Sequence, residues 1–306
     1  MSEVGGPKVG LMNIGEEAKP PFAVLADPVS IFLNRSKRFA ALAPKHELQP
    51  YLEFLARLTR VQHDIQEGLS PASLPPFDRI GQALEHGMPP LSRTLTEPDD
   101  LMQQTVERLL ERLEGGGPLA EATSKAVGAL RAVPPAQRRA MIAATLKDAS
   151  PPDDIAQRTL LLAGLQVHFA RMATLLGADD LKPIADGVCP TCGSAPVSSM
   201  VVGWPKAHNT RFCTCSLCAT MWNVVRVKCV LCSSTEGISY KVIEGKPDSI
   251  KAETCDKCHR YVKILYQVND PALEAVADDV ASVGLDMLLT GETWTRGGQN
   301  LFLLGY

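Results

Sequence analysis

Four C-x-x-C pairs, Cys189/Cys192, Cys215/Cys218, Cys229/Cys232 and Cys255/Cys258, constrain this chain more than any other feature. Moved along by 40 residues, the first two pairs fall on the last two, so each half reads C-x2-C-x22-C-x2-C. Thr214 and Thr254, each directly before a cysteine, coincide as well. An internal repeat of this kind groups Cys189, Cys192, Cys215 and Cys218 in one site and Cys229, Cys232, Cys255 and Cys258 in another. A C-x-x-C turn sets two thiolates on one side of a tight knuckle, and two facing knuckles complete a tetrahedral shell around one ion. The cation depresses the thiol pKa values, so that all four sulfurs bind as thiolates. Repeats this short hold little core of their own, and the ion is expected to stabilise the fold itself. The first knuckle has Gly193 just past its second cysteine, where a left-handed backbone is often wanted. The others have Ala219, Ser233 and His259 there and follow the pattern less strictly.

All nine cysteines lie between residues 189 and 258. A secreted disulfide scaffold spreads an even number through a small chain, so metal binding is the better reading than disulfides or an isolated redox dithiol. A tetrahedral four-sulfur geometry suits zinc or mononuclear iron, and the spacing leaves both open. It resembles rubredoxin and zinc ribbons more than ferredoxin spacing. Cys213 is left over and reads as a small apolar filler; His208 and His259 read as neighbours of the sites, each site already having its four sulfurs.

With 306 residues, 45% of them hydrophobic, the chain is long enough for two domains. Its net charge of -3 exerts no overall pull on nucleic acid. Residues 189–268 carry an excess of five basic side chains, of which two zinc tetrathiolate units would cancel four. A zinc-ribbon nucleic-acid module is therefore the weaker alternative, and a rubredoxin-like electron carrier is another. Met1 to Pro20 lacks a basic stretch followed by an apolar one, so no signal peptide is expected. The most apolar run, Ile155 to Leu176, is interrupted by Arg158, Gln166, His168 and Arg171; a buried helix fits it better than a membrane span. A cytoplasmic protein without stable membrane insertion is expected.

Residues 1–182 read as a helical domain. Asp27-Pro28 is an N-cap followed by proline at the first helical position, opening a helix to Leu42. Helices are also expected over Leu48–Ile65, Asp99–Leu113, Leu119–Val133, Pro135–Leu146 and from Asp153 or Asp154 to Leu176, the last closed by Gly177. The proline-rich stretch 70–98 reads as an irregular crossing with one short helix near Ile80 to Leu84. Strands are expected over Val197–Val202, Trp222–Val227, Ile238–Ile243 and Tyr261–Val268, dividing the cysteine segment into modules 183–227 and 228–268. In the remaining 269–306 a helix is expected from Asp270-Pro271 to about Leu289, with Val276, Val280, Val283 and Met287 on its apolar side. Beside them runs an acidic stripe of Glu274, Asp278, Asp279 and Asp286, read first as a solvated face and second as a dock for a basic segment. The fold class is α+β: an N-terminal helical bundle, two tandem rubredoxin-like or zinc-ribbon-like small β modules, and a C-terminal helix.

The chain resembles the bacterial formate dehydrogenase accessory protein FdhE family. The resemblance is carried by CPTCGSAPV (189–197), RFCTCSLCATMW (211–222), RVKCVLC (226–232), ISY (238–240), CDKCHRYVK (255–263), ADD (277–279) and TRGGQN (295–300). It extends more loosely into the helical half around PYLEFL (50–55). This chain has Met221 and Asn223 where the family often has an acidic residue and a histidine, and Cys213 where an apolar residue is more usual. The resemblance implies a cytoplasmic, non-catalytic assembly factor that binds the catalytic subunit of respiratory formate dehydrogenase before export. It also implies rubredoxin-like iron in the two four-cysteine sites, with zinc as the alternative. A homodimer is left open.

Overall fold

The computed structural model describes residues 20–151, 154–245 and 247–304. Met1 to Lys19, which carry the reading on signal peptides, and Asp153, one of two expected helix starts, lie outside them.

A two-residue strand, β1 (Ala23–Val24), leads into α1 (Pro28–Leu42), where the Asp27 carboxylate accepts from the Val29 amide at 3.1 Å. Then come α2 (Gln49–Asp64), α3 (Phe77–Glu85), α4 (Asp100–Gly115), α5 (Glu121–Ala132), α6 (Pro135–Leu146) and α7 (Ile155–Ala173). α4 opens on Asp99, whose side chain accepts from the Met102 amide at 2.7 Å. The apolar faces of α1, α2, α4, α5 and α6 converge on α7, which is buried without interruption from Leu160 to Ala170. α4 approaches α7 where Gly164 stands: a Cβ there would lie 2.8 Å from Val106 Cγ2. α7 stops at Thr174, before the expected Gly177, whose φ of -77° is not left-handed.

The cysteine segment folds as β2 (Pro196–Val201), β3 (Arg211–Cys215), β4 (Met221–Val224), β5 (Ile238–Lys241), β6 (Ile250–Cys255) and β7 (Arg260–Tyr266). β2–β4 and β5–β7 are two antiparallel meanders, and the 40-residue shift carries β3 onto β6 and β4 into β7. They are not beads on a string. β2 pairs parallel with β7, Ser199 opposite Ile264, so both join one sheet ordered β1-β4-β3-β2-β7-β6-β5.

The C-terminal helix is not continuous. Asp270-Pro271 opens a turn, and the helix runs as α8 (Ala277–Ala281) and α9 (Val283–Leu289), followed by β8 (Thr295–Arg296) against β7. Glu274 starts α8, its carboxylate accepting from the Val276 and Ala277 amides at 3.0 and 2.7 Å. Lys263 reaches the break: its ammonium donates to the Asp279 and Ser282 carbonyls at 2.8 and 3.0 Å, while Ser282 O also accepts from Leu285 N at 2.9 Å where α9 begins. The break rotates the following residues, so Leu285 and Leu289 are buried while Met287, expected on the apolar side, is exposed.

The acidic stripe is also not a solvated face, and it is not free to dock a partner. Glu274 pairs with Arg35 at 3.0 Å and Asp278 with Arg38 at 2.6 Å, fastening this segment to α1. Asp286 accepts from Tyr261 at 2.8 Å and from Arg296 at 2.7 Å. Asp279, completely buried, accepts from Asn300 at 2.8 Å and pairs with Arg296 and Lys263. Burial alone would raise its pKa, but those two cations hold it below the ordinary carboxylate value.

Candidate metal centres

Each knuckle sits at a strand end, as its spacing requires. Cys189/Cys192 precede β2, Cys215/Cys218 turn β3 into β4, and Cys229/Cys232 and Cys255/Cys258 repeat this around β5–β7. The same backbone bonds recur in both halves. Cys189 N donates to Ser194 O at 2.9 Å and Gly193 N to Cys189 O at 3.0 Å; Cys229 N donates to Ser234 O at 2.8 Å and Ser233 N to Cys229 O at 2.9 Å. Just past the second cysteine, Gly193, Ala219, Ser233 and His259 have φ of 78°, 58°, 61° and 52°. All four knuckles thus adopt the left-handed turn that only Gly193 advertises in the sequence.

The sulfurs of Cys189, Cys192, Cys215 and Cys218 gather within 4.8 Å of one another, and those of Cys229, Cys232, Cys255 and Cys258 do the same. Cross-knuckle Sγ–Sγ distances are 3.6 Å (Cys189–Cys218) and 3.4 Å (Cys192–Cys215) in the first quartet. In the second they are 3.8 Å (Cys229–Cys258) and 3.7 Å (Cys232–Cys255). A disulfide needs about 2.05 Å; a tetrahedron with metal–sulfur bonds of about 2.3 Å has edges of about 3.8 Å. The donor set therefore fits a tetrahedral thiophilic ion. Burial pushes the Cys189 and Cys218 thiols well above their ordinary pKa, and a cation among them supplies the charge that stabilises thiolates there. Leu217 N and Cys218 N each lie 3.4 Å from Cys215 Sγ, aimed to donate to it.

The surroundings of the two quartets differ. The first is sealed by the helical half, its cysteines at most 1% exposed. Leu91 N donates to Thr191 O and Arg93 N to Cys192 O, both at 2.9 Å, so the proline-rich crossing clamps the first knuckle. From α7, Gln166 donates to Ser216 O at 2.9 Å, and Gln62 holds Gln166 in place at 3.0 Å. Ser194 Oγ lies 3.3 Å from Cys192 Sγ and Thr220 Oγ1 3.2 Å from Cys218 Sγ, where hydroxyls can donate to thiolates. In the second quartet Cys232 and Cys258 are partly exposed. Ser234 turns its hydroxyl to Glu236 O at 3.0 Å, and Arg260 stands in Thr220's place in the repeat and donates to Leu231 O at 3.2 Å. A cleft of about 240 Å³ between the two centres is lined by Pro190, Trp222, Cys229 and Ser233, and Ser233 is tied to Asp186.

Cys213 stays outside both quartets. It is buried in β3 between Ser199 and Trp222, and burial pushes its thiol up to about 12, as suits a packing residue. His208 and His259 are exposed. Absent from the sequence reading was the ion pair that joins the two halves: Arg211 of β3 grips Glu253 of β6 in a two-pronged bond, both contacts at 2.9 Å, with each side chain at most 2% exposed. The same guanidinium donates to Ser199 Oγ at 3.0 Å and to the Arg226 and Lys228 carbonyls at 3.2 and 3.3 Å, pinning the linker that leads into Cys229.

Comparison with known proteins agrees with this architecture throughout. The chain matches the models for the N-terminal domain of FdhE over residues 20–186, its central domain over 188–226 and its C-terminal domain over 227–303. It is 41% identical over 299 residues to the protein FdhE homolog of Rhizobium meliloti (strain 1021), covering 96% of each chain. To the FdhE homolog of Stutzerimonas stutzeri (strain A1501) it is 33% identical, over 94% of this chain and 93% of that one. The crystal structure of the FdhE protein from Pseudomonas aeruginosa superposes with a TM-score of 0.80 at 31% identity, over 94% of this chain and 99% of that one. A fold, a spacing and a sequence that agree from end to end make this chain a member of the FdhE family.

Proposed function

We propose that the protein is a non-catalytic, cytoplasmic accessory factor in the assembly of respiratory formate dehydrogenase. In this reading it binds the catalytic subunit and carries one iron ion in each four-cysteine centre: Cys189, Cys192, Cys215 and Cys218 in the first, Cys229, Cys232, Cys255 and Cys258 in the second. The observation that carries it is the pair of sulfur quartets with tetrahedral edge lengths, in a chain of this family. A soft four-sulfur shell accepts iron or zinc alike; iron rests on the family resemblance. No helix among the described residues is long and apolar enough to cross a membrane, which is compatible with work on a client before its export.

Protein purified without oxygen tests the metal. Two equivalents of iron and strong visible absorption after oxidation are expected; two equivalents of zinc and a colourless protein would remove the iron. For the client, the tagged chain expressed beside the catalytic subunit is expected to retain it. Loss of retention when Cys189 and Cys229 are both changed to Ser, with the wild-type chain retaining the subunit, makes the centres necessary. Undiminished formate dehydrogenase activity in cells lacking the chain would retire the assembly role.

A further inference from the structure

We propose that the two centres differ in permanence. The second, Cys229, Cys232, Cys255 and Cys258, is the one through which the protein takes up and gives up its ion. The first holds its ion for as long as the domain is folded. This rests on the reading above that both quartets bind metal.

An ion leaves a four-sulfur shell when a competing ligand or a proton reaches a sulfur, or when the knuckle opens. At the first centre neither route is available without wider disruption. Its sulfurs are shut off from solvent, its first knuckle is bonded through the Thr191 and Cys192 carbonyls to the 91–93 backbone, and Ser216 of its second knuckle is bonded to α7. Opening it means undocking the helical half. The Ser194 and Thr220 hydroxyls add donors to two of its sulfurs, and such outer contacts strengthen ion retention.

At the second centre the same knuckles lack this wall. Cys232 and Cys258, the second cysteines of facing knuckles, both reach solvent, so a thiolate or chelator can approach from one side while Cys229 and Cys255 remain buried. Asp256, Lys257 and His259 around the last knuckle are partly or fully exposed, and neither Ser234 nor Arg260 supplies the hydroxyl contact found at the first centre. Exchange there would be a ligand substitution with no electron transferred, each departing cysteine thiolate being replaced on the ion by a donor atom of the incoming ligand. The ligand class is a soft divalent cation delivered or removed by a thiolate donor.

The full chain loaded with two equivalents of Zn2+ and mixed with excess 4-(2-pyridylazo)resorcinol tests this, with iodoacetamide labelling followed by peptide mass spectrometry. Release is expected in two phases of one equivalent each, the first faster by about tenfold or more, the scale of outer-contact effects on metal sites. Label in that phase is expected on Cys229, Cys232, Cys255 and Cys258. A single rate for both equivalents, or first-phase label on Cys189, Cys192, Cys215 and Cys218, would overturn the inference with the two-centre reading intact. A chain that binds fewer than two equivalents would sink the two-centre reading, and this inference with it.

Discussion

The helical half and the sheet half are built on different chemistry. In the helical half, Phe32, Phe39, Leu52, Leu55, Leu58, Leu109 and the length of α7 bury side chains against one another. Each such burial contributes about 1.5–3 kcal/mol, and none depends on a particular partner. In the sheet half the interior holds six of the eight candidate ligand cysteines and a set of charges. Among the described residues every buried carboxylate, Glu253, Asp278, Asp279 and Asp286, falls between residues 253 and 286. A charge interior is conditional: its members are tolerated only while the partner is present and in the right protonation state. One polypeptide therefore joins a core that degrades gradually to one that fails in steps.

The largest effect expected of that difference is on metal removal. A structural four-sulfur site contributes about 10–16 kcal/mol at neutral pH, so chelation under reducing conditions is expected to expose residues 190–270 to proteolysis while a fragment spanning α1 to α7 survives. Simultaneous loss of both halves would break the comparison. Next comes the Arg211–Glu253 pair. Glu253→Ala leaves a buried guanidinium without its carboxylate and is expected to cost about 3–5 kcal/mol in chemical denaturation of the sheet half. Arg211→Met with Glu253→Leu is expected to recover most of it; a double variant as weak as the single one would mean the loss lies in packing.

The helical half has a titratable element of its own, His168, buried on α7 with its Nε2 unpartnered. Burial, opposed by the Asp99 carboxylate and aided by Arg171, lowers its pKa from 6.5 to about 4. The unfolded chain thus takes up a proton at higher pH than the folded one. Stability falls as the pH drops from about 6.5 to about 4 and levels off below, by about 3 kcal/mol in all. His168→Gln is expected to flatten that part of the stability–pH curve; an unchanged curve would place the titration elsewhere. The smallest effect is at the last knuckle. His259 is exposed with φ of 52°, and His259→Gly is expected to raise the melting temperature slightly, by relief of about 0.5–1 kcal/mol.

The same division explains which parts of the molecule were legible in the sequence. Apolar stripes and caps name helices, so α1, α2 and α4 to α6 lie within two residues or so of their expected spans. The repeat likewise named the two quartets that the structure brings together. β3 and β6 were missed because Arg211 and Glu253 do not look like interior strand residues until their pairing across the sheet is known. The acidic stripe misled for the same reason: Asp279 has the composition of a solvated face and a complete set of donors only in three dimensions. The break at Ser282 lies where Lys263, on another element, donates to the Asp279 and Ser282 carbonyls. The left-handed turns at Ala219, Ser233 and His259 are set by the knuckle and not by the residue that occupies it.

The parallel pairing of β2 with β7 has a consequence for synthesis. When Cys218 has left the ribosome the first quartet is chemically complete, yet the edge of β2 that will receive Ile264 to Tyr266 is bare, and Arg211 has no carboxylate. At about 5–20 residues per second the chain spends roughly 2–10 s in that state. Throughout it, an open strand edge and an unpaired guanidinium lie beside four reactive thiols. An ion bound early at the first centre would hold its knuckles closed over that interval and keep those four thiols from mispairing.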